Sequence, residues 1–270
     1  ACYKLTTLFP GVNIIVWILA SGLFSAVIGA AFGLPSLRIK GFYLAVATLA
    51  AQFFLEWCFV RIPWLYDYSA SGMIQTPQRT LFGIVITGAN ASPTTRYLVL
   101  LAIVVFLTWI ASNILHGRIG RTFMAVRDMD IAAELMGIRL LPAKLMAFAL
   151  SSFYCGVAGA VMVTLWYSGG EASDLFNIRQ SFNILFMVII GGLGSLIGCF
   201  LGSALLNIVP LMLKYGLPAI GIAIGSETAE HLNHLLIGGL IIFFLIVEPH
   251  GLARLWQITK QKLRTWPFPY

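Results

Sequence analysis

Charge is the property this sequence has least of. Only 10% of its 270 residues are Asp, Glu, Lys or Arg, whereas about a quarter of the residues in a typical soluble domain are charged. Apolar residues make up 59% of the chain, and the mean hydropathy is +0.91. A helix needs about 20 residues to cross a bilayer, and several apolar runs in this sequence are that long. The short alternating segments of a β-barrel are absent. The sequence therefore predicts an all-α, polytopic membrane protein.

Sequence motifs for catalysis and cofactor binding are also missing. The chain has no G-x-x-x-x-G-K-[ST] phosphate-binding loop, no C-x-x-C among its four cysteines, and no Ser/His/Asp or Cys/His set that indicates a nucleophile. The run GLGSLIG at 192–198 lacks the G-x-G-x-x-G spacing of a dinucleotide loop. The net charge of +7 is not arranged as a basic stripe with interleaved aromatics. We therefore expect a protein that is not an enzyme, binds no cofactor itself and binds no nucleic acid.

One cluster has the spacing of a metal site. The run SETAEHLNH at 226–234 places Glu227, Glu230, His231 and His234 at helical i, i+3, i+4 and i+7 positions, where they could ligate a metal. A solvated amphipathic face explains the same pattern more simply. No metal site is therefore predicted.

Hydropathy predicts six to seven membrane-spanning helices. Their ranges are roughly 11–34, 41–59, 97–115, 143–167, 178–192, 196–213 and 235–248. The stretch 178–213 is continuously apolar except for GGLGS, and an unbroken helix of that length would overshoot a hydrocarbon core of about 30 Å. A helical hairpin or a broken, re-entrant pair is therefore expected there.

The distribution of basic residues predicts the orientation. The segments LRIK at 37–40, 116–144 and the tail after 248 carry two, five and four Lys or Arg, which is 11 of the 17 in the chain. Because cytoplasmic loops are enriched in these residues, we expect these segments in the cytoplasm. The start of the chain then lies outside, and residues 249–270 form a cytoplasmic C-terminal tail.

Two predicted spans carry small residues at helical spacing. They are Ser21, Ser25, Gly29 and Gly33 in the first span, and Gly194, Gly198 and Gly202 at the sixth. Small residues let helix backbones approach closely where lipid gives no hydrophobic drive for association. We expect these residues to pack helices against one another, and a role in helix sliding during transport stays open.

Residues 116–143 form a loop that is unusually charged for this chain. Within it, the segment from Asp128 to Lys144 predicts a short helix, with acidic residues at its start, where carboxylates favour the positive end of the helix dipole. The apolar stripe of this helix consists of Ile131, Leu135 and Ile138. Gly137 is a plausible helix stop, and Pro142 is expected to break the chain before the next span.

Two interpretations of this short helix remain. The helix could lie on the lipid surface, or it could dock its apolar stripe into a groove of a soluble partner while Asp130 and Glu134 meet the rim. The acidic residues disfavour the first interpretation, because anionic headgroups prefer a Lys- and Arg-rich polar face.

Polar residues within spans mark a candidate substrate pathway. Thr48, Gln52 and Glu56 recur every fourth residue in the second span, and Asn183 and Asn207 lie in the fifth and sixth. Interhelical hydrogen bonding is the alternative role for these side chains. We assign Thr48, Gln52, Asn183 and Asn207 to the pathway as a hypothesis.

Four stretches carry a resemblance to a known family. They are LRIKGFYLAVATLA at 37–50, SGMIQTPQRTLFG at 71–83, GRIGRTFMAVRDMDIAAELMGIRLLPAKLMAFALSSFYCGVAGA at 117–160, and GGLGSLIGCFLGSALL at 191–206. Together, and in this order, they resemble the M-type permease subunit of branched-chain amino-acid ABC importers. The ending EPHGLARLWQITKQKLRTWPFPY is also similar.

The resemblance implies a function and a set of partners. The short charged helix corresponds to the coupling helix, with Asp130, Ile131, Glu134, Leu135, Gly137 and Ile138 as its contact residues, and Glu134 and Gly137 match the A-A-E-x-x-G core. The implied partners are a homologous second permease subunit, two cytoplasmic ATPase subunits that bind ATP and Mg²⁺, and a periplasmic substrate-binding protein. The implied location is the bacterial inner membrane.

The family also defines the alternatives. Related permeases carry urea, short amides or aromatic compounds, and an ion-coupled secondary carrier is the alternative from a different class. The outer loop reads YSASGMIQ, whereas many members have a Gly-rich T-G-G-x-x-G. Residues 1–270 are expected to form a single permease domain. Members of the family usually carry further membrane spans at the N-terminus, and this chain is expected to lack those spans.

Overall fold

Helices dominate the structure of this chain. The computed structural model describes residues 1–9, 11–37, 42–66, 68, 73–81, 84–88, 91–167, 169–171, 177–216, 226–247 and 251–265. The chain divides into two compact units, Ala1–Asn177 and Ile178–Tyr270. A single permease domain over 1–270 stays a prediction.

The first unit contains seven helices and two short ribbons among its described residues. The helices are α1 (Cys2–Leu8), α2 (Ile14–Ser36), α3 (Phe42–Arg61), α4 (Pro93–His116), α5 (Arg118–Asp128), α6 (Asp130–Leu135) and α7 (Leu140–Val161). The strands are β1 (Met73–Gln75), β2 (Thr80–Leu81), β3 (Ile84–Val85) and β4 (Gly169–Glu171). A 3-10 turn at Pro63–Tyr66 follows α3, and a π-helical turn at Met162–Tyr167 continues α7.

The second unit contains four helices among its described residues. They are α8 (Ile178–Gly191), α9 (Leu196–Leu211), α10 (Ser226–Val247) and α11 (Gly251–Thr265). A π-helical turn at Met212–Gly216 continues α9.

Apolar helices of membrane-spanning length confirm the polytopic all-α class. Four segments of the described chain are long and apolar enough to cross a membrane, or up to five if α10 and α11 count as one bent span. The four are Ile14–Pro35, Pro93–His116, Leu140–Tyr167 and Leu196–Gly216. Two further predicted spans coincide with the shorter apolar segments Tyr43–Phe59 and Ile178–Gly191.

The core of the first unit forms where α2 packs along α7. A side chain added at Gly29 would overlap Ser152, and one added at Gly22 would overlap Val157 and Phe153. Small residues on α2 therefore bring the two backbones together, as Gly and Ser do between membrane helices. The predicted face Ser21, Ser25, Gly29 and Gly33 lies at or beside this contact: Ser25 lies under Gly156, Gly33 faces Phe148, and Ser21 is buried.

A hydrogen-bonded segment orders the connection between α3 and α4. Thr87 is completely buried; its Oγ1 accepts the backbone N–H of Arg79 and donates to the carbonyl of Pro77, both at 2.8 Å. The Arg79 guanidinium donates to the Thr6 carbonyl, which ties this segment to α1. β1 pairs antiparallel with β4, with Ile74 opposite Gly170.

In the second unit, α8 and α9 form an antiparallel hairpin. A Cβ at Gly191 would overlap the Gly198 carbonyl, and one at Gly202 would overlap the Met187 carbonyl, so the two backbones are in direct contact. The turn between the helices contains Gly192 at φ 107° and Gly194 at φ 86°, a region that L side chains rarely adopt. The predicted break at GGLGS is thus confirmed, and whether the pair crosses the membrane twice or is re-entrant stays a prediction.

The position of Gly194 differs from the expectation. Gly198 and Gly202 lie at the helix contact, but Gly194 precedes α9 and belongs to the turn. The physical reason is that closing two antiparallel helices this tightly requires a positive φ, and glycine supplies it without strain.

Helices α10 and α11 complete the second unit. Phe244 of α10 is buried with Ile190 and Leu206 of the hairpin. The axes of α10 and α11 meet at 61°. Of the predicted C-terminal tail, residues 249, 250 and 266–270 lie outside the described residues.

Candidate functional site

The charged segment folds as two helices, not one. α5 ends at Asp128, Met129 is extended at φ −151° and ψ 95°, and α6 begins at Asp130. Asp128 therefore ends one helix and does not start the next, which corrects the sequence-based boundary. The sequence does not predict α5 as a separate helix, because its basic residues and polar face are typical of a cytoplasmic loop.

A glycine turn ends α6. Gly137 has φ 85°, its N–H donates to the Glu134 carbonyl at 2.9 Å, and the Ile138 N–H donates to the Ala133 carbonyl at 3.0 Å. This is the pattern of a glycine helix cap, in which the residue after the turn reaches back to satisfy an exposed carbonyl. Gly137 therefore ends the helix, as the sequence indicated.

Two details after the turn differ from the expectation. Ile138 lies beyond α6 and is half-buried, so it does not share an exposed stripe with Ile131 and Leu135. Pro142 does not break the chain, because α7 already begins at Leu140. Proline is tolerated in the first turn of a helix, where the backbone N–H has no intrahelical acceptor.

One face of α6 is fixed to the rest of the unit. Ala133 is completely buried, and the Lys144 ammonium of α7 lies 3.8 Å from the Asp130 carboxylate. The Asp130 Oδ1 atom also accepts the Ile131 N–H at 2.9 Å. Because an exposed ion pair contributes little energy, we assign the attachment mainly to the buried alanine and to the short connections on both sides.

The opposite face of α6 exposes large apolar side chains. Leu135 is 85% exposed and Ile131 is 74% exposed. Together with Met129 and Met136, which are also well exposed, they form a surface that we call the α6 patch. The exposed carboxylates of Asp130 and Glu134 lie beside it.

The sequence pattern found only half of the α6 patch. The i, i+4 spacing identified Ile131 and Leu135, whereas Met129 and Met136 lie just outside the helix, one on each side of it. A signal was present, because a methionine stands on each side of the short acidic helix. Methionine is flexible and suits adaptable contact surfaces.

The α6 patch can bind but has no groups for covalent chemistry. It offers apolar contact area with an acidic rim, and its exposed position suits a protein partner of complementary shape. Exposed apolar patches rimmed by polar residues mark interaction sites.

The four proposed pathway residues are distributed over both units. Thr48 is exposed on α3, with its Oγ1 donating to the Ala45 carbonyl at 2.9 Å, and Gln52 is half-buried one turn later. In the second unit, Asn183 is half-buried on α8, and Asn207 on α9 donates to the Ser203 carbonyl at 2.7 Å.

Within each unit these residues lie near each other along the helices. Thr48 and Gln52 are four residues apart on one helix face. The hairpin pairs Gly191 with Gly198 and Met187 with Gly202, and the same register continued by one turn places Asn183 beside Leu206, next to Asn207.

No metal-binding group of three or more His, Cys, Asp or Glu side chains occurs among the described residues. Of the cluster singled out in the sequence, His234 contacts Arg179, with its Nε2 2.9 Å from the guanidinium. The side chains of Glu227 and Glu230 lie outside the described part of the chain.

Comparison with known proteins identifies the family. A family model described as "Branched-chain amino acid transport system / permease component" matches residues 2–245. The "High-affinity branched-chain amino acid transport system permease protein LivM" of Salmonella typhimurium (strain LT2) and that of Escherichia coli (strain K12) are each 29% identical to this chain over 258 residues, covering 86% of the chain and 55% of the relative.

A more distant relative extends the similarity. The "Probable branched-chain amino acid transport permease protein LivM" of Methanocaldococcus jannaschii is 28% identical over 248 residues, covering 90% of the chain and 68% of the relative. No solved structure matches. The chain spans about half the length, 55%, of the first two relatives. The family match over residues 2–245 and the apolar helices together show that this chain belongs to the branched-chain amino acid transport system permease components, a family of multi-pass membrane proteins.

Proposed function

We propose that this chain is the membrane permease subunit of an ABC importer for branched-chain or related amino acids. ATP hydrolysis on separate subunits would drive alternating access of the spans to the two sides of the membrane. The family and the names of the relatives support the substrate class. The observation that carries the mechanism is the α6 patch.

The α6 patch suits a soluble partner better than lipid. The polar residues beside it are the acidic Asp130 and Glu134, and an anionic lipid surface would repel them. A cleft in a partner can instead bury the apolar side chains and place basic groups at the rim. The buried Ala133 and the short link to α7 would then transmit a displacement of the partner to a membrane helix.

The proposed assembly has four kinds of partner besides this chain. We infer a homologous second permease subunit, two cytoplasmic ATPase subunits that hold ATP and Mg²⁺, a periplasmic substrate-binding protein and the lipid bilayer. The chain itself would bind no cofactor. The assembly would lie in the bacterial inner membrane, with the α6 patch and the C-terminus in the cytoplasm.

Neutral polar groups would line the substrate route. Thr48, Gln52, Asn183 and Asn207 carry no fixed charge, which suits the passage of a zwitterion. These residues would bind the substrate only weakly, since tight binding would slow its release.

Co-purification tests the assembly. The chain is expressed together with its neighbouring gene products, extracted in mild detergent, and analysed for a bound ATPase. The test variant combines Glu134→Lys with Leu135→Asp, which reverses a rim charge and places a carboxylate in the α6 patch. The matched control combines Glu134→Gln with Leu135→Met, which retains size and apolar character at the same positions.

We expect the wild type and the control to retain the ATPase and the test variant to lose it. Both variants change only exposed side chains, so both are expected to elute as monodisperse protein in size-exclusion chromatography. Retention of the ATPase by the test variant would refute the role of α6. Transport by an ATPase-free protein would refute the importer and favour an ion-coupled carrier.

Uptake by reconstituted vesicles tests the substrate class. The complete assembly with its binding protein is expected to accumulate radiolabelled leucine in an ATP-dependent manner. Accumulation of urea, a short amide or an aromatic acid instead of leucine would reassign the substrate and leave the ATP-driven mechanism in place.

A further inference from the structure

The last described helix combines positive charge with a strongly sided arrangement of residues. α11 spans Gly251–Thr265 with the sequence GLARLWQITKQKLRT. Its 15 residues include four basic residues and no Asp or Glu. This charge pattern is the opposite of that around α6, where carboxylates flank the exposed apolar side chains.

Helical geometry sorts these residues onto two faces. At 100° per residue, one face collects Leu252, Leu255, Trp256, Thr259 and Leu263. Lys260 and Lys262 fall on the two edges of this apolar face, about 80° to either side of its centre. The opposite side carries polar and basic side chains together with Ala253, which is buried, and Ile258, which is half-buried.

The apolar face is exposed over most of the helix. Leu263 is 72% exposed, and Leu255 and Trp256 are also exposed. Lysines at the edges of such a face can bury their hydrocarbon stems and keep their ammonium groups in the headgroup layer. Tryptophan favours the same depth, where the ring is in an apolar layer and its N–H reaches water.

The first turn of α11 is packed against the α8–α9 hairpin. Gly251 has φ 69°, and a Cβ at this position would lie 2.5 Å from the Gly192 nitrogen and 2.7 Å from the Ile190 carbonyl oxygen. Ala253 is buried. The helix is therefore anchored at the turn of the α8–α9 hairpin, and its axis makes an angle of 61° with that of α10.

Two other locations for α11 fit less well. A continuation of α10 through the bilayer would place several Lys and Arg side chains in hydrocarbon, which costs several kcal/mol per charge at the centre. A water-exposed helix would leave its apolar face unprotected. A helix with a basic polar face and a Trp- and Leu-containing apolar face matches the composition of helices that lie in the bilayer interface.

We propose that α11 lies in the membrane interface and binds anionic phospholipid headgroups. The apolar face, centred on Trp256 and Leu263, enters the boundary between headgroups and acyl chains. Lys260 and Arg264 contact lipid phosphates or other anionic headgroup oxygens. Because Gly251 fixes the helix to the hairpin, lipid binding also orients the turn at Gly192. This proposal does not depend on the transported substrate or on the ATPase.

Fluorescence quenching on the full chain tests the proposal. The four native cysteines are replaced by serine, and an environment-sensitive NBD label is attached at Leu263→Cys, on the apolar face, or at Gln257→Cys, on the polar face. Each protein is placed in nanodiscs of phosphatidylcholine alone or with one quarter phosphatidylglycerol. Iodide quenching then measures exposure of the label to water.

The proposal predicts protection from iodide that depends on both face and lipid charge. The label at position 263 is protected in anionic nanodiscs and the label at 257 is quenched. At about fivefold per basic residue near an anionic surface, Lys260→Gln with Arg264→Gln lowers the ratio of docked to undocked helix about 25-fold. The matched control Lys260→Arg with Arg264→Lys keeps the charge and the protection.

A second measurement uses the wild-type protein without any label, so it does not depend on whether the cysteine-free variant folds correctly. In the wild type, trypsin cleavage after Lys260 is slower in anionic than in neutral nanodiscs, as measured by mass spectrometry. Equal quenching of the two labels, or equal cleavage in the two lipids, would overturn the proposal. Protection that requires added ATPase subunits would also overturn it and assign α11 to a protein contact.

Discussion

Replacing Gly202 by alanine tests the close contact within the α8–α9 hairpin. The added methyl group would overlap the Met187 carbonyl and would lie 2.7 Å from the Gly191 nitrogen and 2.8 Å from its Cα. These are backbone atoms, so no side-chain rotation can relieve the overlap. The two helices must therefore move apart along the whole contact.

Two effects of opposite sign determine the magnitude. Alanine favours the helical conformation over glycine by about 1 kcal/mol. Overpacking a tight contact costs about 1–3 kcal/mol. Gly239 provides the comparison that separates them, because it lies in a helix of the same unit and a Cβ there would meet no heavy atom within 4 Å. Gly239→Ala gains the propensity term alone, so the two variants should differ by the overpacking cost of about 1–3 kcal/mol.

Thermal unfolding of purified protein in one detergent measures this difference. At about 2–4 °C per kcal/mol, Gly202→Ala should melt several degrees below Gly239→Ala, which should equal or slightly exceed the wild type. Equal melting temperatures for the two alanine variants would refute the reasoning, since they would show that α8 and α9 are not in backbone contact at Gly202.

Two further substitutions test local hydrogen bonding and backbone conformation. Thr87→Val keeps the side-chain shape but leaves the Arg79 N–H and the Pro77 carbonyl unsatisfied in a buried position, so unfolding should become easier by about 1–3 kcal/mol. Thr122→Val should change stability little, because the Thr122 hydroxyl bonds only within its own helix. An equal loss of stability in the two variants would contradict the role of the Thr87 hydrogen bonds. Gly137→Ala forces an L side chain to φ 85° at a cost of roughly 1–2 kcal/mol. Amide exchange around Glu134 should then accelerate roughly 5–30-fold, whereas unchanged exchange would refute a strained turn there.

Features governed by local periodicity were predictable from the sequence. The apolar runs located the four helices that are long and apolar enough to cross a membrane, because lipid exposure requires continuous apolar surface. GGLGS located the hairpin turn, since glycine permits the positive φ values found at Gly192 and Gly194. The spacing of Ser25 and Gly29 indicated a packing face, and the structure places both residues at the contact with α7.

Features that depend on tertiary contacts were not predictable in the same way. The ribbon between Ile74 and Gly170 joins residues far apart in the sequence, and such short strands have no periodicity of their own. The helix boundary at Met129 arises from an extended residue between two helices, for which the sequence contains no glycine or proline. The pathway residues depend on how helices face each other, so their assignment stays a prediction.

The helix α7 has a mechanical consequence that extends beyond its packing. Together with the π-helical turn that follows it, α7 runs without a break from Leu140 to Tyr167, a length of about 40 Å. The α6 patch lies just before its first residue, and strand β4 follows shortly after the turn. A helix of fixed length cannot absorb a push at one end by shortening. A displacement at that end would reach the other end as a tilt, or it would be taken up in the π-helical turn at Met162–Tyr167, where the backbone hydrogen bonds change from i→i+4 to i→i+5. On the proposed mechanism, the stiffness of that single turn would determine how much of a movement at α6 reaches the β1–β4 ribbon.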